Sequence, residues 1–579
     1  MTANIRIFLW ALLGLAVLLN VNTWFKDFPP ASAVAGTQAV AAGSAPAPSA
    51  ATLDTVPVAS TPAASGSPAT ASAATVAATP ATAAPATAAP AGGAVAGEVA
   101  DAGVVHVVTD VLDLDISLQG GQLTRADLLA YPLVKNQPTL VRLLDTAADD
   151  LSLLQTGLAG ANGASAPTHQ ALFTSEAKQV RMAAGQDTLD VPLTWSDGKG
   201  VTVTKVFHFR RGRYAIGLEY QIRNAGTSPW SYAPYVQLLR NNPPVARSYF
   251  NSASNAFRGP AFYNGTKYQK LNTFSSTPPV LDQDITNGWF AGMQHHFVVA
   301  AVPDASVAYH YHLKTQGTQY LISAEAGSQS VAPGATADVK QSLFVGPKLQ
   351  AQLKTTGPNL ERVADYGALT IIAQPLFSLL NIVHNVLGNW GFTIIVVTFL
   401  LKLLFYPLSE ASGRSMAKMK ALQPRIKNLQ ETYKDQRDQL GKAMMELYQR
   451  EKVNPLAGCL PMVIQIPVFL AFYWVLLESV EMRQAPFIGW INDLSSRDPY
   501  FILPAIMMGA MFAQYRLNPQ MGDAMQQKIM MIMPLAMSVM FAFFPAGLVL
   551  YWVTNTLLSI LQQWNINRRV NLSAAKART

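Results

Sequence analysis

A lysine set inside an apolar run limits what this chain can fold into more than any other feature. Residues 391–407 read G-F-T-I-I-V-V-T-F-L-L-K-L-L-F-Y-P, with Lys402 as the only charge. A run this long and apolar belongs in a membrane. A cation at mid-depth there costs about 2.5–3.5 kcal/mol unless it faces protein, a water-filled cavity or a substrate path. Thr393 and Thr398 share the run, so the span has one polar face, and that face is a candidate functional site. The alternative is that Lys402 extends its ammonium to the nearby cytoplasmic surface.

Half of the 579 residues are hydrophobic and only 13% are charged, which suits several membrane spans. The net charge of +8 would fit a nucleic-acid binder, but its distribution argues against one. The basic residues gather in loops between apolar runs and at the C-terminus, the pattern of a topology signal. The single cysteine, Cys459, leaves no intramolecular disulfide. The L-A-G-C stretch at 456–459 resembles a lipoprotein box but lies mid-chain, far from any signal peptide.

The chain divides by composition. Residues 1–28 hold an apolar stretch, 7–25, that reads as an uncleaved transmembrane anchor. Cleavage after A-S-A at 31–33 is the other reading. Residues 29–103 are nearly all Ala, Pro, Thr, Ser, Gly and Val, which predicts a disordered tether. In 104–346 the pattern changes to period two. Leu112, Leu114, Ile116 and Leu118 alternate with polar residues, as do Tyr214, Ile216, Leu218, Tyr220 and Ile222. Turn signals such as Gly120-Gly121 and Pro333-Gly334 separate such runs. This predicts an antiparallel β-sandwich outside the cytoplasm.

From about residue 365 the chain is helical and apolar. Residues 347–386 read as a linker and an amphipathic helix lying in the interface. Spans follow at about 388–408 (within a second-span segment 387–408), then 460–480, 500–515, 529–544 and 546–564 (within 457–564). The last two are split by F-P-A-G at 544–547. The fourth and fifth spans are short and would thin the lipid around them. Loop 409–456 carries ten basic residues from Arg414 to Lys452, and the short tail 565–579 carries Arg568, Arg569, Lys576 and Arg578. Positive loops stay in the cytoplasm, so six spans place both termini inside and the β domain outside. In loop 409–456, Met419, Leu422, Ile426, Leu429 and Tyr433 are spaced as a heptad seam that Leu440, Met444 and Leu447 continue. That predicts an antiparallel helical hairpin. Two helices lying flat on anionic lipid would suit the same charges.

Several of these stretches resemble a known family. They are T-F-L-L-K-L-L-F-Y-P-L (398–408), S-M-A-K-M-K-A-L-Q-P-R-I (415–426), E-K-V-N-P-L-A-G-C-L-P (451–461), Q-I-P-V-F-L-A-F-Y (465–473), R-Q-A-P-F (483–487), M-Q-Q-K-I-M (525–530) and F-P-A-G-L-V-L-Y-W (544–552). Together, and in this order, they resemble the YidC membrane protein insertases of Gram-negative bacteria, of the wider YidC/Oxa/Alb family. The resemblance implies an α+β membrane protein with a five-helix insertase core and a large periplasmic β-supersandwich of the sugar-mutarotase type without its catalysis. It implies a hydrophilic groove open to cytoplasm and lipid, with a cation that attracts the polar segment of an incoming protein. Lys402 takes the place of that cation, which is usually Arg, and Trp552 stands where Tyr is frequent. Thr398, Gln465 and Asn555 carry over onto the groove. Phe469, Met507, Tyr551 and Trp552 carry over onto an apolar slide, and the hairpin with Met419, Leu422, Ile426 and Leu429 receives the substrate first. Implied partners are newly made inner-membrane proteins, the Sec translocon, membrane lipid, and the ribosome and signal recognition particle pathway. The short tail puts ribosome binding through the tail in doubt. No cofactor and no metal are implied.

Enzyme readings find little support. There is no H-E-x-x-H, G-x-S-x-G or P-loop. The glycine-rich 157–163 does not run from a strand into a helix. His310 and His312 would share one strand face but lack a third metal ligand, and His295 and His296 would point to opposite faces if extended. Two other classes stay open. A solute transporter fits an intramembrane Lys with Pro461, Pro467, Pro504 and Pro534 nearby, although the halves show no repeat. A membrane-anchored periplasmic sugar-modifying enzyme would leave the basic hairpin unexplained.

Overall fold

The structure is a computed structural model, and it describes residues 53–57, 103–161, 164–246, 256–275, 279–433, 436–451, 460–517 and 524–576. The anchor expected at 7–25 and most of the tether expected at 29–103 lie outside these residues.

Residues 104–347 form two facing sheets, one of 11 strands and one of eight. The alternation read from the sequence maps onto burial. Leu112, Leu114 and Ile116 point into the core from the strand Leu112–Ser117. Ile216, Leu218, Tyr220 and Ile222 do so from Ala215–Asn224. Strand pairing among the described residues is antiparallel except for Val104–Val108 with Gln179–Arg181, which run parallel. Gly120 and Gly121 turn the chain with φ of 77° and 53°, a left-handed region that favours glycine.

Ten α-helices follow among the described residues. They are α1 (Gln350–Thr356), α2 (Thr370–Leu387), α3 (Trp390–Leu404), α4 (Tyr406–Ala421), α5 (Gln423–Thr432), α6 (Arg437–Arg450), α7 (Leu460–Glu478), α8 (Ile502–Leu517), α9 (Ala524–Phe541) and α10 (Ala546–Lys576). The second-span segment is not one straight helix: α3 and α4 meet at a bend of 67° beside Phe405. Pro407 explains it, since proline lacks the N–H that would continue the α3 ladder but fits the first turn of a new helix. The tail read as separate from the last span is part of α10. Ile566 is buried and meets α4, because Gly413 leaves room for it. Helix α2, expected in the interface, is long and apolar enough to cross a membrane, as is the bent α3–α4 pair. Its residues Ala373, Leu376, Phe377 and Leu380 are buried in the helical core, while Ile371, Ile382 and Val386 are exposed.

The loop before α8 pins one end of the bundle. Carbonyls of Ser496 and Leu494 accept from the N–H groups of Ala546 and Gly547 at 2.7 and 2.9 Å, satisfying donors at the start of α10. At the start of α3, the Asn389 side chain accepts from Gly391 N and Phe392 N and donates to Phe487 O at 3.0 Å. A Cβ on Gly391 would lie 1.9 Å from a ring carbon of Phe487. Replacing Gly391 with leucine is therefore expected to destabilise the bundle by about 1–3 kcal/mol through overpacking. Gly441→Ala provides the contrast: nothing lies within 4 Å of that Cβ, and α6 should gain up to about 1 kcal/mol of helix stability. Thermal unfolding in detergent checks the first, and hydrogen exchange along α6 the second.

Candidate functional site: a polar cavity between α3, α7 and α10

The polar face of α3 looks into the bundle. Thr393 and Thr398 are buried and turn their hydroxyls back onto their own helix, Thr393 Oγ1 to Asn389 O at 2.9 Å and Thr398 Oγ1 to Ile394 O at 2.6 Å. Such back-bonding removes the cost of an unmet buried donor. One turn further on, the Lys402 Nζ donates to Ser559 Oγ at 2.8 Å, and Ser559 Oγ donates to Asn555 O at 2.7 Å. No carboxylate pairs with Lys402 among the described residues.

Thr398 and Lys402 border a cavity of about 40 Å³. Lys402, Thr398, Gln465 and Asn555, the four groove candidates, all line it, together with Tyr551. Gln465 reaches the hydroxyl of Tyr551, and Leu401, Phe405 and Val468 supply apolar wall. A small, largely apolar-walled cavity with a lysine that lacks a counter-charge among the described residues can attract a carboxylate or the carbonyl groups of a peptide. A larger opening of about 730 Å³ lies on the β domain, but its lining mixes Arg142, Arg240 and Arg258 with Asp127, Asp145 and Asp149, so it does not select one sign of charge. Ser559 was missed from the sequence; its signal is its place one helical turn beyond Asn555, on the same face.

The slide candidates are placed differently. Phe469 stacks on Tyr551 with centroids 6.1 Å apart and meets Trp552 edge-on at 4.7 Å. Phe469 and Trp552 are half-buried, whereas Tyr551 and Met507 are buried in the bundle core. Met507, at 0% exposure, offers no free surface here. Among the described residues, Met508, Met531, Met533 and Met540 are exposed.

In the loop 409–456, Met419 and Leu422 are buried, with Met416, Ile426 and Tyr448 packed against them. Leu429 is half-buried and lies outside this cluster. The seam is interrupted because α4 stops at Ala421 and α5 restarts with Pro424 in its first turn. Helices α5 and α6 run antiparallel, fastened by Arg425 Nη1 to Glu451 Oε1 at 2.7 Å.

Both histidine pairs are engaged by neighbouring groups. Both ring nitrogens of His310 are taken by Asp284 and Asp282, at 2.9 and 2.7 Å, while His312 faces Ser323 Oγ. His295 and His296 do not point apart: they sit in a turn, where alternation lapses, and their rings stack at 3.8 Å. His106, Asp113 and Asp115 also cluster, but the guanidinium of Arg125 already bonds both carboxylates, at 2.7 and 2.6 Å.

Known proteins match along almost this whole architecture. Residues 104–379 match the model of the YidC periplasmic domain, and 382–574 match that of the 60Kd inner membrane protein. A protein of Thioalkalivibrio sulfidiphilus named membrane protein insertase YidC is 46% identical over 482 residues, covering 82% of this chain and 86% of its own. The chain belongs to the YidC family. A second relative of the same name, from Alkalilimnicola ehrlichii, is 46% identical over 484 residues, 83% of this chain and 85% of its own. A solved structure described as an active YidC insertase with its first transmembrane domain resolved is 19% identical. It covers 78% of this chain and 90% of that one, with a TM-score of 0.36. Family membership makes this an inner-membrane protein with a periplasmic domain, the β-sandwich above.

Proposed function

We propose that this protein inserts newly made proteins into the inner membrane and assists their folding, alone or with the Sec translocon, and that the Lys402 cavity is the groove that receives their polar segments. The observation that carries the reading is the lysine held by Ser559 and lining a cavity with Gln465 and Asn555, without a carboxylate partner among the described residues. Its charge remains available to a substrate. The names of the relatives support the activity.

In this reading the chain spans the membrane six times, with both termini in the cytoplasm and α2 lying at the periplasmic interface. Helices α3, α7, α8, α9 and α10 form the core. A polar segment enters from the cytoplasm, where water in the groove shortens its path through hydrocarbon. Lys402 attracts its acidic groups, and the membrane potential adds about 2.3 kcal/mol per charge per 100 mV. The client's apolar helix leaves sideways over Phe469 and Trp552. Lysine in place of arginine gives up bidentate carboxylate pairing but keeps the attraction.

The test is insertion of a small protein with a short acidic translocated tail into vesicles that contain or lack this protein. Insertion should depend on it, and equal insertion without it would refute the proposal. The hairpin should act earlier, in capture. Replacing both Met419 and Leu422 with Glu is expected to open the cluster that holds α4 to α6. Crosslinking of the loop to arriving client should fall several-fold while the spans stay assembled; unchanged crosslinking would favour a loop lying passively on lipid.

A further inference from the structure

The outer face of the 11-stranded sheet is polar in a way the helical site does not explain. Strand pairing aligns Gln155, Gln237, Ser323, His312 and Asp282 in one row across five strands. Gly157, Tyr235, Glu325, His310 and Asp284 form the row beside it. Gln155, Gln237, Ser323 and Tyr235 are at most 1% exposed, although they face away from the main core.

At one end of these rows the hydrogen bonding fixes two donors. Gln155 Oε1 accepts from Gln237 Nε2 at 2.7 Å, which leaves the Gln155 amide N–H groups directed outward. Tyr235 Oη accepts from the His169 backbone N at 2.8 Å and lies 2.7 Å from His169 Nδ1. Its own proton then goes to Nδ1, so Nε2 carries the imidazole hydrogen. Tyr235 can lie there because its cross-strand partner is Gly157, where a Cβ would sit 2.6 Å from the hydroxyl. His169 is 1% exposed. Gln155 Nε2 and His169 Nε2 open toward the same place, which suits an acceptor with free lone pairs, and a carboxylate, which only accepts, meets that need.

The acceptor present is Asp54. Its Oδ1 accepts from Gln155 Nε2 at 3.0 Å and stands 3.0 Å from His169 Nε2. Thr55 N bonds back to Leu53 O at 2.8 Å, a tight turn with Asp54 at its apex. Leu53, Val56 and Pro57 are half-buried around it. Between Pro29 and Gly97, Asp54 is the only charged residue and Leu53 the only leucine. The donors and the one acid in this part of the chain therefore coincide.

We propose that this end of the sandwich face is a docking site for a short peptide turn that presents one carboxylate, occupied in cis by the chain's own segment 53–57 through Asp54. Docking divides the connection between anchor and sandwich into two lengths. Only about 25 residues then separate residue 28 from the sandwich, which at 3.3–3.6 Å per residue span at most about 90 Å. Undocked, the 75 residues of 29–103 reach three times as far. The clasp limits how far the periplasmic domain travels from its anchor, and its release lengthens the leash.

The test uses the full chain in detergent and a fluorescent peptide of residues 50–60, with anisotropy as the readout. Asp54→Lys in the chain should vacate the site without touching the sandwich. The vacated chain should bind the peptide at least about 10-fold more tightly than the wild-type chain, whose site is filled. A peptide carrying the same Asp54→Lys change should bind neither. Adding Gln155→Leu to the vacated chain should abolish binding. A tethered segment has an effective concentration of order millimolar or less, so a segment docked in cis must bind in trans with a Kd of about 1 mM or tighter. No binding to the vacated chain at that concentration, equal binding by both chains, or equal binding of both peptides would overturn the proposal.

Discussion

Lys402→Glu should abolish insertion of clients whose translocated segment is acidic, by about 10-fold or more, with the protein present at wild-type level. The groove then repels what it is proposed to attract. A pair of unit charges 4 Å apart interacts by about 1 kcal/mol in water and about 4 kcal/mol near a protein surface, so reversing the sign moves occupancy by at least a factor of ten. Lys402→Arg should retain activity, because charge and approximate reach are kept. Lys402→Ala should fall between, and most nearly match wild type for apolar clients. Protease protection of the client in vesicles, with and without a membrane potential, measures all three. If Lys402 served only to reach the cytoplasmic surface, the three variants would insert alike.

The junction between sandwich and bundle carries the second large effect. Lys348 and Glu478 are both buried, with Nζ and Oε2 3.7 Å apart. Around them, His295 bonds Leu477 O at 2.9 Å, Arg483 donates to Pro132 O and Leu133 O, and Lys135 donates to Gln484 O. Removing one partner of a buried pair strands the other charge and costs about 3–5 kcal/mol, whereas replacing both with apolar groups is often neutral. Lys348→Met and Glu478→Leu should each loosen the junction, and the double variant should recover most of the loss. Hydrogen exchange at Leu133 and along 483–494 reads this directly. Recovery absent from the double variant would mean the pair does not act as a unit.

The histidines at the same junction should weaken it in acid. Burial pushes His295 below its ordinary 6.5, and pushes His296 further below, helped by the neighbouring His295 and Lys348. The unfolded chain takes up these protons at about pH 6.5 and the folded chain resists. Stability is therefore present above pH 6.5 and lost as the pH falls through the depressed folded values. Glu481 opposes this, since burial raises it from 4.5 to about 7 and its contribution is lost as pH rises through that value. Glu481→Gln removes the opposing group, and in that variant exchange at the junction should accelerate from pH 7 to pH 5.

The sandwich was legible because period two survives in sequence wherever one strand face is buried, as at Leu112–Leu114–Ile116 and Ile216–Leu218–Tyr220. The four groove residues fall together around one cavity because helical spacing puts Thr398 and Lys402 on one face, and the family motifs supply Gln465 and Asn555. What escaped the sequence was tertiary. Ser559 looks like any helical serine until Lys402 is seen beside it. Met507 reads as exposed slide or as core with equal ease, since an apolar helix carries no sign of which face meets lipid. The bend at Phe405 was signalled by Pro407, but a hydropathy window runs straight across it. His295 and His296 defied the alternation rule because they occupy a turn. Asp54 lay in a low-complexity run whose composition predicts no fixed place for any residue.

The most direct test of the groove is photocrosslinking during insertion. A crosslinkable residue placed at Gln465, on the cavity wall, is compared with one at Leu404, which is 69% exposed on the outside of the bundle. A client arrested midway should crosslink at 465 through its polar translocating segment, and this adduct should vanish in the Lys402→Glu background while any adduct at 404 persists. Crosslinks of the polar segment that form equally at both positions, or that ignore the charge at 402, would contradict a polar groove as the route of insertion.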